Sequence, residues 1–255
     1  MKYAAIIQAR SASTRLPRKV LQDLEGKPVL QRVIERAQRS CKMDEVLVVT
    51  SIEREDLAIQ ELCAQLGVRV FAGSEEDVLD RYYQLAKLVQ PQYIVRITAD
   101  CPFYDWTVLD DAVETMEEKS DYLSDFGETL PDGLDVEIFR FSALKDAWQN
   151  ARMQSEREHL TQYIRNNPQR FVLQNYANPL GSQGHLRWTL DEPEDYRMIQ
   201  AVYRHFLAQG REDFLQGDIL AYLGEHEEVQ RMNSAFARNE GLAKSLEEDR
   251  EATIL

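Results

Sequence analysis

A cluster of cations and hydroxyl groups follows the first apolar stretch of the chain. Residues 2–9 read KYAAIIQA, which is typical of a buried strand, and residues 10–19 then read RSASTRLPRK. Four cations lie in this loop: Arg10, Arg15, Arg18 and Lys19. In an open α/β sheet, ligands bind outside the carboxyl ends of the strands. The loop therefore indicates a site for a polyanion such as a triphosphate, although a solvated basic turn would have the same composition.

A carboxylate follows another predicted strand. Asp100 comes shortly after residues 93–98, in the sequence RITADCPFYD. Mg²⁺ favours one or two carboxylates together with substrate phosphates. Taken alone, Asp100 is explained equally well as a turn-forming residue before Cys-Pro. On the same rim as the basic loop, it predicts the metal-binding half of a nucleoside-triphosphate site.

Two later segments carry candidate substrate contacts. Residues 134–139 (LDVEIF) alternate between polar and apolar, which places Asp135 and Glu137 on one face of a predicted strand. That face is either a solvated acidic surface or a substrate contact. A predicted helix further along carries Arg157 and His159. A lone histidine is more often structural than catalytic, and no metal-ligand spacing surrounds this one.

The spacing of apolar residues predicts the elements that position these side chains. Strands are predicted at residues 2–9, 45–51, 68–72, 93–98, 121–125, 134–139, 171–176 and 185–190. Helices are predicted at residues 30–41, 59–66, 78–89, 109–116, 142–152, 156–166 and 194–207, with more helix after residue 217. This alternation predicts an α/β fold with a mostly parallel central sheet and helices on both faces. The P-loop motif and the dinucleotide-binding glycine motif are both absent from the sequence.

The composition limits the classes of function. The 255 residues are 44% hydrophobic and 29% charged, as expected of one globular domain with or without an appendage. The formal net charge of −14 argues against nonspecific binding to nucleic acids or anionic membranes. Three widely spaced cysteines form neither a disulfide framework nor a zinc motif, which fits a reducing cytoplasm. We expect no signal peptide and no membrane span, because the apolar runs are too short.

Five segments, in order, resemble motifs of the cytidylyltransferase family, which includes the N-acylneuraminate and 3-deoxy-manno-octulosonate cytidylyltransferases. They are IIQARSASTRLPRK, RITADCPFYD, PDGLDVEIF, REHLTQYI and RWTLDEPED, and the resemblance is strongest to the spore-coat polysaccharide biosynthesis protein F subgroup. Arg18 and Ala99 stand where that family usually has glycine. The resemblance implies a glycosyltransferase-A-like nucleotidyltransferase fold over residues 1–230. It also implies a small excursion near 125–190 for substrate binding or dimerisation, and a helical tail at 231–255.

The same resemblance implies an activity and a set of site residues. It implies the transfer of CMP from CTP to a sugar, with release of pyrophosphate and with Mg²⁺ bound by Asp100 and Asp191, assisted by Asp195. The implied catalytic residues are Arg10, Arg15, Lys19, Asp100 and Asp191. The implied nucleotide-binding residues are Gln8, Ala9, Arg10, Ser11, Ser13, Arg15, Lys19 and Arg81. The implied acceptor-binding residues are Asp135, Glu137, Arg157 and His159.

Other functions stay open at this point. A sugar acid is the expected acceptor, cell-surface polysaccharide synthesis the expected process, and a cytoplasmic homodimer the expected state. A glycosyltransferase that consumes a sugar nucleotide shares the architecture, but such enzymes usually carry a D-x-D motif, and none follows the predicted strand at residues 93–98. A non-catalytic nucleotide-binding homologue is the other alternative.

Overall fold

The first apolar run forms strand β1 (Tyr3–Gln8), which lies inside a seven-stranded sheet. The computed structural model describes residues 1–13, 15–236, 238, 245, 247 and 249. The other strands are β2 (Glu45–Ser51), β3 (Val70–Gly73), β4 (Tyr93–Thr98), β5 (Tyr122–Ser124), β6 (Glu137–Arg140) and β7 (Leu173–Asn175). The strand order is β3-β2-β1-β4-β6-β5-β7. Strand β6 runs antiparallel to its neighbours β4 and β5, whereas the other pairs are parallel, as predicted.

Helices flank the sheet. Their bounds are α1 (Val29–Ala37), α2 (Leu57–Gln65), α3 (Val78–Val89), α4 (Trp106–Thr115), α5 (Phe141–Asn150), α6 (Gln154–Glu158), α7 (Gln162–Asn166), α8 (Pro193–Leu207), α9 (Gln216–Glu225) and α10 (Glu227–Gln230). Among the described residues, none of these helices is both long enough and apolar enough to cross a membrane. The segment 125–190, expected as an excursion, supplies β6 and β7 to the central sheet.

Alternate side chains of β1 enter two hydrophobic cores. Ala5 and Ile7 pack with residues of α1, α4 and α8, whereas Ala4 and Ile6 pack with residues of α3 and α5. All four side chains are fully buried. A strand covered on both faces needs apolar residues at successive positions, which explains the continuous run AAII.

The parallel pairing of β1 with β4 places two candidate segments at one edge of the sheet. Gln8 at the end of β1 lies opposite Thr98 at the end of β4. The basic loop leaves the first strand there, and Asp100 follows the second within two residues. The expected carboxyl-end rim is therefore present.

Two predicted elements are wrong. Residues 185–190 form no strand; their backbone bonds go to the loop residues Asp132 and Asp100, through Trp188 N–H and Leu190 N–H. The alternating pattern of this segment instead reflects side chains that point in turn into the core and into the site. The helix predicted at 156–166 is interrupted at His159, whose φ of −99° and ψ of 80° are not helical.

Gly133 allows the chain to pass directly over Trp188 and Thr189, which lie just before Asp191. Its φ is +105°, and an added Cβ would lie 2.7 Å from Thr189 N and 2.8 Å from the carbonyl carbon of Trp188. Trp188 is 1% exposed and packs edge-on against Phe103. Glycine is therefore required here for both its backbone angle and its lack of a side chain.

Replacing Gly133 with alanine should destabilise the protein by about 3 kcal/mol, because backbone strain and overpacking add together. Gly67→Ala is the matched control, since Gly67 also has a positive φ, +68°, but nothing lies within 4 Å of an added Cβ. We expect the control to cost about 1 kcal/mol. Urea unfolding of both variants measures the difference, and equal losses would contradict the close packing of Gly133.

Candidate active site

Lys19 joins the two carboxylates that the sequence pointed to. Its Nζ lies 2.6 Å from Asp100 Oδ2 and 2.6 Å from Asp191 Oδ1. Asp100 belongs to the turn after β4, and Asp191 directly precedes α8. Three segments that are distant in the chain therefore meet at one point on the rim of the sheet.

The charges of this cluster support each other. Burial raises the pKa of the Asp100 carboxyl, but attraction and hydrogen bonding from Lys19 outweigh it and lower that pKa to about 2. Burial also works against the charge of Lys19, and the two carboxylates nevertheless raise the pKa of its ammonium group. Asp100 and Lys19 are thus both charged at neutral pH.

Arg15 adds a second cation at the same place. Its Nη2 lies 3.1 Å from Asp191 Oδ1, and its Nη1 lies 3.0 Å from Glu192 Oε1. The side chain of Arg15 is 38% exposed. Arg15 and Lys19 of the basic loop therefore sit where phosphate oxygens next to a bound cation would lie.

A buried aspartate anchors the basic loop. Asp56 accepts hydrogen bonds from Ser11 N–H at 2.6 Å, from Ser51 Oγ at 2.6 Å and from Thr50 Oγ1 at 3.0 Å. Its side chain lies just after β2, in a short 3₁₀ turn. The sequence analysis missed Asp56, because one acid in the run ERED carries no signal of burial. Ser11 is accordingly held at the base of the loop.

The departure at Arg18 has a backbone explanation. Arg18 adopts φ 55° and ψ 28°, the left-handed conformation that glycine favours. The loop therefore keeps the conformation expected of glycine, with an exposed arginine in its place. Ser13 accepts the N–H of Leu16 at 3.2 Å within the same loop, and Thr14 lies outside the described residues.

Arg81 is a buried cation beside the loop. The residue is 2% exposed, and its Nε and Nη1 have no hydrogen-bond partner among the described residues. Burial lowers the pKa of Arg81, and the nearby Arg10 lowers it further. Arg10 itself is exposed. A buried guanidinium with unpaired donors, next to a second cation, points to an anionic or carbonyl-bearing ligand.

The predicted acceptor residue Glu137 lies in a buried polar network. Its carboxylate forms an ion pair with Arg96 and accepts hydrogen bonds from Tyr122 Oη and Thr161 Oγ1. Burial opposes the charge of Glu137, but Arg96 and these hydrogen bonds lower its pKa overall. Arg96 Nε also donates to Gln8 Oε1 at 3.2 Å. The network therefore links Glu137 in β6 to the end of β1.

Asp135 differs from Glu137 in its surroundings. It lies before β6 and is exposed, so the predicted shared acidic face is wrong: a turn precedes the strand, and Glu137 is buried. Arg238 forms an ion pair with Asp135 and donates to Leu130 O at 3.0 Å. The contact between Arg238 and Asp135 could not be read from composition.

Arg157 and His159, which were predicted on one helix, contact different parts of the chain. Arg157 Nε donates to Asp77 at 3.0 Å, which ties α6 to the start of α3. His159 Nε2 lies 3.0 Å from Ser245 Oγ in the C-terminal segment. Burial lowers the pKa of His159, which favours its neutral form. Arg157 therefore supports packing, whereas His159 contacts Ser245.

The sequence analysis gave no role to Arg187, which lies beneath Asp191. Its Nε and Nη2 each lie 3.0 Å from oxygens of Asp195. Asp195 is fully buried and accepts the N–H groups of Asp191 and Glu192 at 2.9 Å. Asp195, which was expected to assist metal binding, thus contacts the main chain of Asp191. Arg187 stands in the RWTLD segment, but nothing in the sequence showed its buried partners.

The carboxylates of Asp100 and Asp191 fit a divalent cation whose remaining ligands are not protein side chains. One oxygen of Asp100 and one of Asp191 already converge on a single cationic atom, Lys19 Nζ. Two carboxylates are the protein share that Mg²⁺ commonly uses, the remainder being water and phosphate. Within the described part of the chain, no group of three or more acidic, histidine or cysteine side chains could hold a metal by itself.

Comparison with known proteins places this site in a family context. The family model described as "Cytidylyltransferase" matches residues 4–222, which include the basic loop, Asp100 and Asp191. The spore coat polysaccharide biosynthesis protein SpsF of Bacillus subtilis is 35% identical over 234 residues, covering 87% of this chain and 93% of its own length.

Two further proteins are similar to this chain. A cytidylyltransferase structure from Leptospira borgpetersenii superposes with a TM-score of 0.85 at 31% identity, covering 91% of this chain and 97% of the other. The 3-deoxy-manno-octulosonate cytidylyltransferase of Geotalea daltonii is 34% identical over 123 residues, or 48% of each chain. The fold is thus shared along nearly the whole chain.

Glu137→Gln should lower the free energy of unfolding by about 3 kcal/mol at pH 7, because it leaves Arg96 without its buried partner. The native pKa of Glu137 lies below the unfolded value of about 4.3, so its contribution is full above that pH and is lost as pH falls further. Urea unfolding at pH 7 and below pH 4 should therefore show a large gap to the wild type that shrinks in acid. Glu61→Gln, at an exposed position, is the control and should change little; a gap that does not depend on pH would contradict this assignment.

Proposed function

The chain belongs to the cytidylyltransferase family, and we propose that it transfers CMP from CTP to a sugar, most suitably a sugar acid, with release of pyrophosphate. Family membership supports the nucleotidyl transfer. The acceptor class rests on the resemblance to sugar-acid cytidylyltransferases. The similarity to a spore coat polysaccharide biosynthesis protein supports a role in making cell-surface polysaccharide.

One observation carries the proposal: Lys19 binds Asp100 and Asp191 at 2.6 Å each, on the rim where Arg10 and Arg15 also lie. Cations that can bind phosphates and carboxylates that can bind a metal are the two parts of a nucleoside-triphosphate site. Neither part alone distinguishes such a site from a surface ion pair.

We assign the nucleotide to the crevice between the basic loop and α3. Arg10, Arg15 and Lys19 would neutralise the phosphates of CTP. The unpaired donors of Arg81 suit a base carbonyl or a phosphate oxygen. The remaining proposed nucleotide contacts come from the end of β1 and the start of the loop: Gln8, Ala9, Ser11 and Ser13.

Asp100 and Asp191 would hold Mg²⁺, which would stabilise negative charge on the phosphates. The acceptor hydroxyl attacks the α-phosphorus in line with the bond to the leaving pyrophosphate, so that one P–O bond forms and another breaks. Lys19, Arg10 and Arg15 stabilise the charge that accumulates on the phosphoryl oxygens.

We place the acceptor beside Asp135 and His159, on the β6 side of the rim. Glu137 and Arg157 act on this side through their partners, Arg96 and Asp77, which fix the wall of the crevice. A cytoplasmic homodimer remains our expectation for the assembled enzyme.

Thermal shift measurements with CTP, UTP, ATP, GTP and a UDP-sugar, each with and without Mg²⁺, test the nucleotide assignment. A ligand that binds only the folded state at about one hundred times its Kd adds roughly 2.7 kcal/mol, which is easily observed. We expect selective stabilisation by CTP that depends on Mg²⁺. A preference for a UDP-sugar without pyrophosphate release would indicate a glycosyltransferase, and no shift with any nucleotide would indicate a non-catalytic homologue.

Asp100→Asn should abolish the Mg²⁺-dependent part of the CTP shift, because one of the two proposed metal-binding carboxylates is lost. Pyrophosphate release with N-acetylneuraminate or 3-deoxy-manno-octulosonate as acceptor should fall on the order of 100-fold or more. Asp213→Asn is the control, since the Asp213 side chain is 65% exposed. Retention of the full Mg²⁺-dependent shift and rate in Asp100→Asn would show that the metal assignment is wrong.

A further inference from the structure

The guanidinium of Arg187 is enclosed by carboxylates beneath the proposed metal site. Besides its two contacts with Asp195, Arg187 reaches Asp132 Oδ2 through Nη1 at 3.3 Å and Asp191 Oδ2 through Nη2 at 3.3 Å. The Arg187 side chain is 8% exposed, and Asp195 is fully buried. The planar fork of arginine can meet several carboxylates in fixed directions, which an ammonium group cannot do.

The two oxygens of Asp191 have different partners. Oδ2 faces Arg187, whereas Oδ1 faces Lys19 at 2.6 Å and Arg15 at 3.1 Å. Asp195 Oδ2 accepts both the N–H of Asp191 and a hydrogen bond from Arg187 Nη2. Asp191 is therefore fixed at its backbone and at one oxygen, and its other oxygen is directed toward Asp100.

Asn233, in the C-terminal segment, contacts both Arg187 and Asp195. Asn233 is 3% exposed, and its Nδ2 donates to Arg187 O and to Asp195 Oδ1, both at 2.8 Å. The ring of Phe236 lies 5.8 Å from the Arg187 guanidinium carbon. Asn233 lies outside the range that the family model matches, residues 4–222.

We infer that Arg187 is a positioning residue that orients Asp191 for the metal, and that Asn233 holds Arg187 and Asp195 in the geometry this requires. The inference rests on the proposed function, because it assigns a role toward the metal of that reaction. Arg187 does not touch the substrate in this role. It occupies one oxygen of Asp191 and so selects the other as the ligand atom.

A different physical role would give Arg187 the same neighbours. As a simple counter-charge it would only neutralise Asp132, Asp191 and Asp195, and any buried cation would serve. Arg187→Lys separates these roles, because lysine keeps the charge but cannot contact Asp195 and Asp191 together through a fork. Asn233→Ala separates them again, because it removes two hydrogen bonds donated by an uncharged side chain and leaves every charge in place.

The experiment measures the Mg²⁺ concentration that gives half of the CTP-induced thermal shift. The proteins are the wild type, Arg187→Lys, Asn233→Ala and the control Ser234→Ala, whose hydroxyl is exposed and bonds only to the backbone of Arg231 among the described residues. Removing a partner that orients a metal ligand typically costs 10–100-fold in metal affinity. We expect about a tenfold higher midpoint in Arg187→Lys, a smaller rise in Asn233→Ala and none in Ser234→Ala. The shift with CTP alone, without Mg²⁺, should stay unchanged.

The possible outcomes separate the inference from the function on which it rests. A wild-type protein with a Mg²⁺-dependent shift, together with unchanged or lower midpoints in both variants, would overturn the positioning role and leave the proposed function intact. A wild-type protein without any such shift would overturn both. If Arg187→Lys does not fold, as judged by circular dichroism, the midpoint of Asn233→Ala alone decides.

Discussion

The ion pair of Lys19 with Asp100 and Asp191 is the constraint on which the rest of the site depends. It joins residues that are 81 and 172 positions apart, so it can form only after the sheet has brought their segments together. Strands β1 and β4 do most of this, because their parallel register ends both at one edge. Breaking such a partly buried pair leaves uncompensated charge, which is costly. The fold and the site are therefore stabilised by the same contact.

The rim has two sides that are built differently. On the proposed nucleotide side, Arg10 is exposed, whereas the unpaired donors of Arg81 are buried. On the acceptor side, Glu137 and Asp135 already pair with Arg96 and Arg238. An anion that binds at Lys19 or Arg15 must likewise exchange contacts that the protein already has.

Much of the fold was predictable, and the reason lies in local pattern. Strands β2 and β4 and helix α3 begin and end where the apolar spacing predicted. The strand predicted at 185–190 was wrong, because its alternation serves a loop that packs over Gly133. The meeting of Lys19, Asp100 and Asp191 followed from topology and resemblance together. Asp56, Arg187 and Asn233 could not be found, because their importance comes from burial among distant partners and not from their own neighbours in the chain.

The position of Asn233 determines how long a fragment of this protein must be to keep the buried contacts of the site intact. A fragment that stopped at Tyr222, the limit of the family match, would retain the basic loop and both aspartates of the Lys19 cluster. It would also expose the backbone carbonyl of Arg187 and remove one donor to the buried Asp195. The match to the family model thus ends before the network of buried polar contacts does, and the boundaries of a minimal fragment have to be drawn by the second criterion.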